Sequence, residues 1–200
     1  MANRNSLSTA DTVLIGVYVG AELAANVTEA KPIRLYAFTV DGGTLIYAVT
    51  FTLIDMIQER QGKSGAQRAV LAAFAANFLL ALYVQLTIWL PYPSYFGGQE
   101  SYRESLGATP RIVAASLTAF LLSSLLDTEV YAALKRAGRG YRWLWVLGSN
   151  AVGTFLDSVT FISLAFFGVF PLAPLILGNY AVKMAVTVLS LPLIYARGRP

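Results

Sequence analysis

Glu22, Asp55, Asp127, Asp157 and Lys183 sit inside stretches of sequence otherwise apolar enough to cross a lipid bilayer. A charged side chain at the centre of a membrane helix costs roughly 2.5–3.5 kcal/mol on insertion scales, so each of these residues is a candidate functional position. Carboxylates and an ammonium can accept or donate charge-assisted hydrogen bonds, neutralise an ionic solute, or carry a proton. The chain has no Cys and no His. Disulfides, thiolate chemistry, Cys metal sites and the commonest metal ligand are therefore absent, and no metal or cofactor is expected.

Composition defines what must position these groups. Hydrophobic residues make up 56% of the 200-residue chain and charged residues only 13%, against about a quarter charged in soluble proteins. A single integral membrane domain over residues 1–200 is expected, all-α, with six transmembrane helices in one bundle. About 20 residues at 1.5 Å rise cross the hydrocarbon core. Apolar segments near that length fall at 11–28, 44–61, 65–90, 111–134, 143–167 and 174–196. Turn chemistry separates them at Asp41-Gly42-Gly43, around Gly62, from Pro91 to Pro110, at Gly138-Arg139-Gly140 and from Pro171 to Pro174. The first segment does not read as a cleavable signal peptide, because Glu22 and Asn26 interrupt it and no small-residue cleavage site follows.

The net charge of +4 comes from basic residues in short loops, which topology explains better than nucleic acid does. With a cytoplasmic N-terminus, Arg4, Arg60, Lys63, Arg68, Lys135, Arg136, Arg139, Arg142, Arg197 and Arg199 gather inside, while Lys31, Arg34, Arg103 and Arg111 lie outside. Both termini are thus expected inside a multi-pass cytoplasmic (inner) membrane protein.

Steps of three and four put the polar residues on narrow stripes. They are Tyr18, Glu22 and Asn26 on the first segment; Phe51, Asp55 and Glu59 on the second; Asn77 and Gln85 on the third. Ser116, Phe120, Ser123, Ser124 and Asp127 mark the fourth, Asn150, Thr154, Asp157, Ser158 and Phe161 the fifth, and Asn179, Lys183 and Thr187 the sixth. Such stripes face other helices or a watery cavity. Asp157 and Lys183 lie at similar depth on adjacent antiparallel segments, so an ion pair or shared polar network is expected. Asn77, Gln85 and Thr187 read as helix-to-helix glue, and Lys183 reads either as part of a site or as the neutralising partner of Asp157.

No enzymatic reading survives. Gly62-Lys63-Ser64 ends like a phosphate-binding loop, but the required first glycine is Ile57. Asp127 and Asp157 lack the Gly-x-Gly-Asp context of an intramembrane protease dyad, since Gly153-Thr154-Phe155-Leu156 precedes Asp157.

The run Tyr47-Ala48-Val49-Thr50-Phe51-Thr52-Leu53-Ile54-Asp55-Met56-Ile57-Gln58-Glu59-Arg60-Gln61-Gly62-Lys63 resembles the signature of the vitamin uptake transporter family, also called the queuosine precursor transporter family. Arg111 to Ser116 with Leu125-Leu126-Asp127, Phe155-Leu156-Asp157-Ser158 with Phe161, and Asn179-Tyr180-Ala181-Val182-Lys183 resemble its later helices. Ser124 and Thr154 depart from the amide residues common at those places. The resemblance implies a six-helix carrier, similar to substrate-binding subunits of energy-coupling-factor transporters, importing 7-deazaguanine precursors of queuosine.

A carboxylate suits the N1–H and exocyclic amine of a guanine-type edge, which directs attention to Asp157 and Asp127. Phe51 and Phe120 are candidates for stacking on the ring, with Asn26, Asn150, Asn179 and Lys183 as further substrate-binding candidates. Asp55, Glu59 and Glu22 are assigned to a path or coupling role. The expected partners are a nucleobase-like small molecule and the bilayer, with a homo-oligomer and separate ATPase subunits left open. A substrate-capture subunit and a non-transporting structural membrane protein are the alternative functions.

Overall fold

A computed structural model of the chain describes residues 8–137 and 142–197. It is mostly helical. Helix α1 spans Thr9–Thr28, a hairpin of β1 (Pro32–Leu35) and β2 (Phe38–Asp41) follows, then α2 (Thr44–Trp89), α3 (Gln99–Leu106), α4 (Thr109–Ala137), α5 (Arg142–Phe166) and α6 (Leu172–Arg197). Among the described residues, four helical stretches, Thr9–Thr28, Ser64–Trp89, Gln99–Ser123 and Leu172–Leu189, are long and apolar enough to cross a membrane.

Local chemistry accounts for several boundaries. Ser8 and Asp11 form a reciprocal capping box at the start of α1, satisfying amides that would otherwise lack partners. Helix α2 is interrupted at Gly62, whose φ of 72° and ψ of −178° are not helical. Positive φ is accessible to glycine at little cost. The chain reverses there, because Ile57 packs in one cluster with Ala69 and Ala73, which a straight rod would hold about 18 Å or more away.

Two apolar clusters hold the bundle. Tyr18 of α1 joins Ile57, Ala69 and Ala73 of α2. Ile112, Ala115 and Ala119 of α4 meet Phe161, Ile162, Ala165 and Phe166 of α5 and Leu175 of α6. The alanines on α4 allow close helix approach. Arg111 ties the same helices at one end, its Nε donating to the Leu164 carbonyl at 2.7 Å and its Nη2 to the Phe167 carbonyl at 2.8 Å.

The outside carries the opposite chemistry. Leu71, Phe78, Leu79, Leu82, Leu86 and Trp89 are exposed along the second arm of α2, whereas Asn26, Asn77, Asp157, Asn179 and Lys183 are buried. Apolar surface outside and polar stripes inside is the arrangement a hydrocarbon solvent demands.

One element departs from the all-α expectation and another from the loop expected between Pro91 and Pro110. The segment after α1 forms a hairpin with Pro32 opposite Asp41 and Leu35 opposite Phe38, turning on Tyr36 at a φ of 52°. The stretch between Pro91 and Pro110 contains α3. Strand β2 docks on α6 at Gly178, where a Cβ would overlap the Thr39 carbonyl.

Candidate functional site

The inward stripes converge on two cavities sharing Tyr47, Phe51 and Phe120 in their walls. The larger, about 740 Å³, lies among α1, both arms of α2 and α4, with Glu22, Asn26, Thr50, Gln58, Gln67 and Ser116 among its polar wall groups. The smaller, about 160 Å³, adds Ser123 of α4 and Asn150, Gly153, Thr154 and Asp157 of α5. Small-molecule sites typically occupy about 300–1,000 Å³; the larger cavity falls in that range, and the smaller one adjoins it at the shared Tyr47, Phe51 and Phe120. Helical phase explains the convergence: Tyr47 and Phe51 are one turn apart on α2, as are Asn150, Thr154 and Asp157 on α5.

Asp157 is anchored from behind. Lys183 Nζ donates to Asp157 Oδ2 at 2.6 Å, with side-chain exposures of 4% for Lys183 and 11% for Asp157. The ammonium also lies 4.8 Å from the centre of the Tyr47 ring and 5.9 Å from that of Phe161, within cation–π range. The carboxylate lines the smaller cavity while the lysine does not. Each carboxylate oxygen has two acceptor positions, so a carboxylate held this way can still accept two donors from a solute. Its charge is already balanced, and a neutral solute can enter without leaving an unpaired ion.

Asn26 Nδ2 donates to Asn77 Oδ1 at 2.9 Å and to the Glu22 carbonyl at 3.1 Å. Asn26 Oδ1 is buried without a hydrogen-bond partner among the described residues. Asn77 also donates to the Ala73 carbonyl at 3.0 Å, so this pair joins α1 to α2 within the cavity wall. Glu22 faces Tyr18 and Thr50.

Of the residues singled out in the sequence, Asp157, Asn150, Phe51, Phe120, Asn26 and Glu22 line one or both cavities. Lys183 and Asn179 lie behind the walls. Asn179 Nδ2 donates to Asp41 Oδ2 at 2.7 Å and to Thr44 Oγ1 at 3.1 Å, and its Oδ1 accepts from Ser158 Oγ at 3.1 Å. The side chains of Asp55, Glu59 and Asp127 lie outside the described residues. Arg60 pairs with Asp11 at 2.6 Å.

Sequence reasoning missed Tyr47 as a wall residue and Glu29, Asp41 and Thr44 as a buried polar group. Asp41 reads as part of a turn because Gly42 and Gly43 follow it. Both glycines are in fact required by close packing: a Cβ on Gly42 would meet the Thr28 and Lys31 carbonyls, and one on Gly43 the Glu29 side chain. The usable signal was the pair of acidic residues flanking the hairpin.

Lipid-facing helices around internal, partly polar cavities define a multi-pass membrane protein built to hold a small solute. The chain belongs to the family described as "Putative vitamin uptake transporter", whose sequence profile matches residues 41–197, and it is accordingly a membrane transporter. It is 31% identical over 186 residues to the "Probable queuosine precursor transporter" of Bacillus subtilis (strain 168), covering 90% of this chain and 81% of that protein. No solved structure matches it.

Proposed function

We propose that this transporter imports a 7-deazaguanine precursor of queuosine, 7-cyano-7-deazaguanine or its aminomethyl form, across the cytoplasmic membrane. The observation that carries the reading is a charge-balanced carboxylate, Asp157, at the wall of a cavity flanked by Tyr47, Phe51 and Phe120. The name of the Bacillus subtilis relative supports the same solute class.

In this reading the flat heterocycle stacks on Phe51 or Phe120, where base–aromatic stacking contributes about 1–3 kcal/mol. Asp157 accepts from its N1–H and exocyclic amine. Asn150 and Asn26 complete the polar readout, and Asp127 extends it on α4. Lys183 holds Asp157 in place, and Asn179 fixes α6 to the hairpin. Glu22, Asp55 and Glu59 line the path or couple it. The protein is one integral domain of six spans with both termini inside, consistent with the basic residues near Arg60, Arg68 and Arg136, and built like energy-coupling-factor substrate-binding subunits.

The test is uptake of labelled 7-cyano-7-deazaguanine into proteoliposomes containing only the purified chain, with Asp157→Asn alongside. Saturable uptake that Asp157→Asn abolishes supports the proposal. Binding without uptake until ATP-hydrolysing subunits are added supports a capture subunit instead, and neither binding nor uptake refutes the solute.

A further inference from the structure

Where the hairpin rejoins the helices, two carboxylates are enclosed together. Glu29 caps the end of α1 and is 4% exposed; Asp41 ends β2 and is 1% exposed. Glu29 Oε2 and Asp41 Oδ1 are both buried with no hydrogen-bond partner among the described residues. The Glu29 side chain lies against Gly43, two residues from Asp41. Burial disfavours an unpaired carboxylate, and a second beside it adds repulsion. The cation bearing on them, Lys183, is already hydrogen-bonded to Asp157 at 2.6 Å. A proton on Glu29 would remove one of the two negative charges and relieve the repulsion between the two carboxylates.

We infer that Glu29 and Asp41 form a proton-binding site, Glu29 holding the proton, and that this proton is exchanged during transport. The coupling route is short. Asp41 accepts from Asn179, which accepts from Ser158. Asn179 is one helical turn from Lys183, and Ser158 adjoins Asp157. When the proton leaves, the uncovered charge competes for the Lys183 ammonium and loosens its hold on Asp157, so proton occupancy and solute binding influence each other. That last link rests on Asp157 being the solute site proposed above.

The other charged or titratable groups facing this place are consistent with it. They are Glu22 on α1, Tyr47 on α2, Asp157 on α5 and Lys183 on α6, with Lys31 and Glu104 along the adjoining groove. Burial first, and then the Asp41 carboxylate, push Glu29 well above the usual carboxylate range, while Lys183 pulls the other way.

Two measurements decide it. Infrared difference spectra of the purified chain in lipid, titrated from about pH 9 to about pH 5, are expected to show a protonated-carboxyl component that is absent in Glu29→Gln, shifted in Asp41→Asn and retained in Glu22→Gln. This reading requires no solute, so it stands even if the proposed nucleobase is wrong. In proteoliposomes that do exchange labelled 7-cyano-7-deazaguanine, an inward proton gradient is expected to drive accumulation of up to about tenfold per pH unit for one proton per solute. Glu29→Gln then keeps exchange and loses accumulation. Should Glu29→Gln fail to fold, Glu29→Asp and Asp41→Asn provide the same comparison through a shifted component. A spectrum unchanged by substitution of Glu29 or Asp41 overturns the site, and accumulation driven by sodium alone overturns its role in transport.

Discussion

Replacing Lys183 with Met tests whether the ion pair behind the cavity wall holds the site together. The substitution removes an ammonium that bonds Asp157 at 2.6 Å in a nearly enclosed environment and leaves the carboxylate without its partner. Breaking a buried pair from one side typically costs about 3–5 kcal/mol. At about 2–4 °C per kcal/mol for a chain of this size, the unfolding midpoint falls by about 6–20 °C. Asp157→Asn strands the lysine instead, but the Tyr47 face at 4.8 Å remains and recovers about 0.5–2 kcal/mol. The double variant buries no unpaired charge and should regain most of the loss. Tryptophan fluorescence during thermal unfolding in lipid nanodiscs gives the four corners of the cycle. If the single effects simply add in the double variant, the two residues are not energetically coupled and the account of a charge-balanced Asp157 fails.

Four further outcomes are expected. Gly178→Ala places a methyl group on the Thr39 carbonyl, costs about 1–3 kcal/mol by overpacking, and should speed tryptic cleavage at Arg34 as the hairpin lifts from α6. Phe51→Ala and Phe120→Ala each remove one wall ring and should weaken binding of 7-cyano-7-deazaguanine about 5- to 150-fold, read by equilibrium dialysis. Because Glu29 is raised in the folded protein, the unfolded chain releases that proton at lower pH, so stability falls as pH rises from the ordinary carboxylate range to the raised value; Glu29→Gln should flatten that part of the midpoint-versus-pH curve. Arg111→Lys cannot reproduce the two-pronged bond to the Leu164 and Phe167 carbonyls and should cost about 1–3 kcal/mol in thermal unfolding.

The helical architecture was legible because apolar length and turn residues report directly on helices that face lipid. Pairing of Asp157 with Lys183 was legible for a related reason: a fixed rise per residue converts position into depth. The hairpin was not. Its strands are four residues each, too short for alternation to register, and its turn uses Tyr36 at positive φ, a conformation usually signalled by Gly or Asn. Helix α3 escaped notice because QESYRESL is polar and follows Gly97-Gly98, which read as loop. Asn179 resembled a solute-facing residue by helical phase, yet it bonds Asp41, 138 residues earlier. Such a contact belongs to tertiary docking, on which periodicity is silent. Phase likewise gave the inward direction of Phe51 and Phe120 but not that Tyr47 stands between the same two cavities.

Gly62 reverses α2 with a single residue at positive φ. Gln58 on one side of it and Ala66 and Gln67 on the other line the larger cavity, so one pair of backbone angles sets the spacing of two walls at that end. A side chain there would strain a positive-φ, extended-ψ backbone that is essentially reserved for glycine by about 1–3 kcal/mol, and relief of that strain would change how far the walls stand apart. The residue that looks like punctuation in the sequence sets, through one φ and one ψ, the distance between two walls of the cavity.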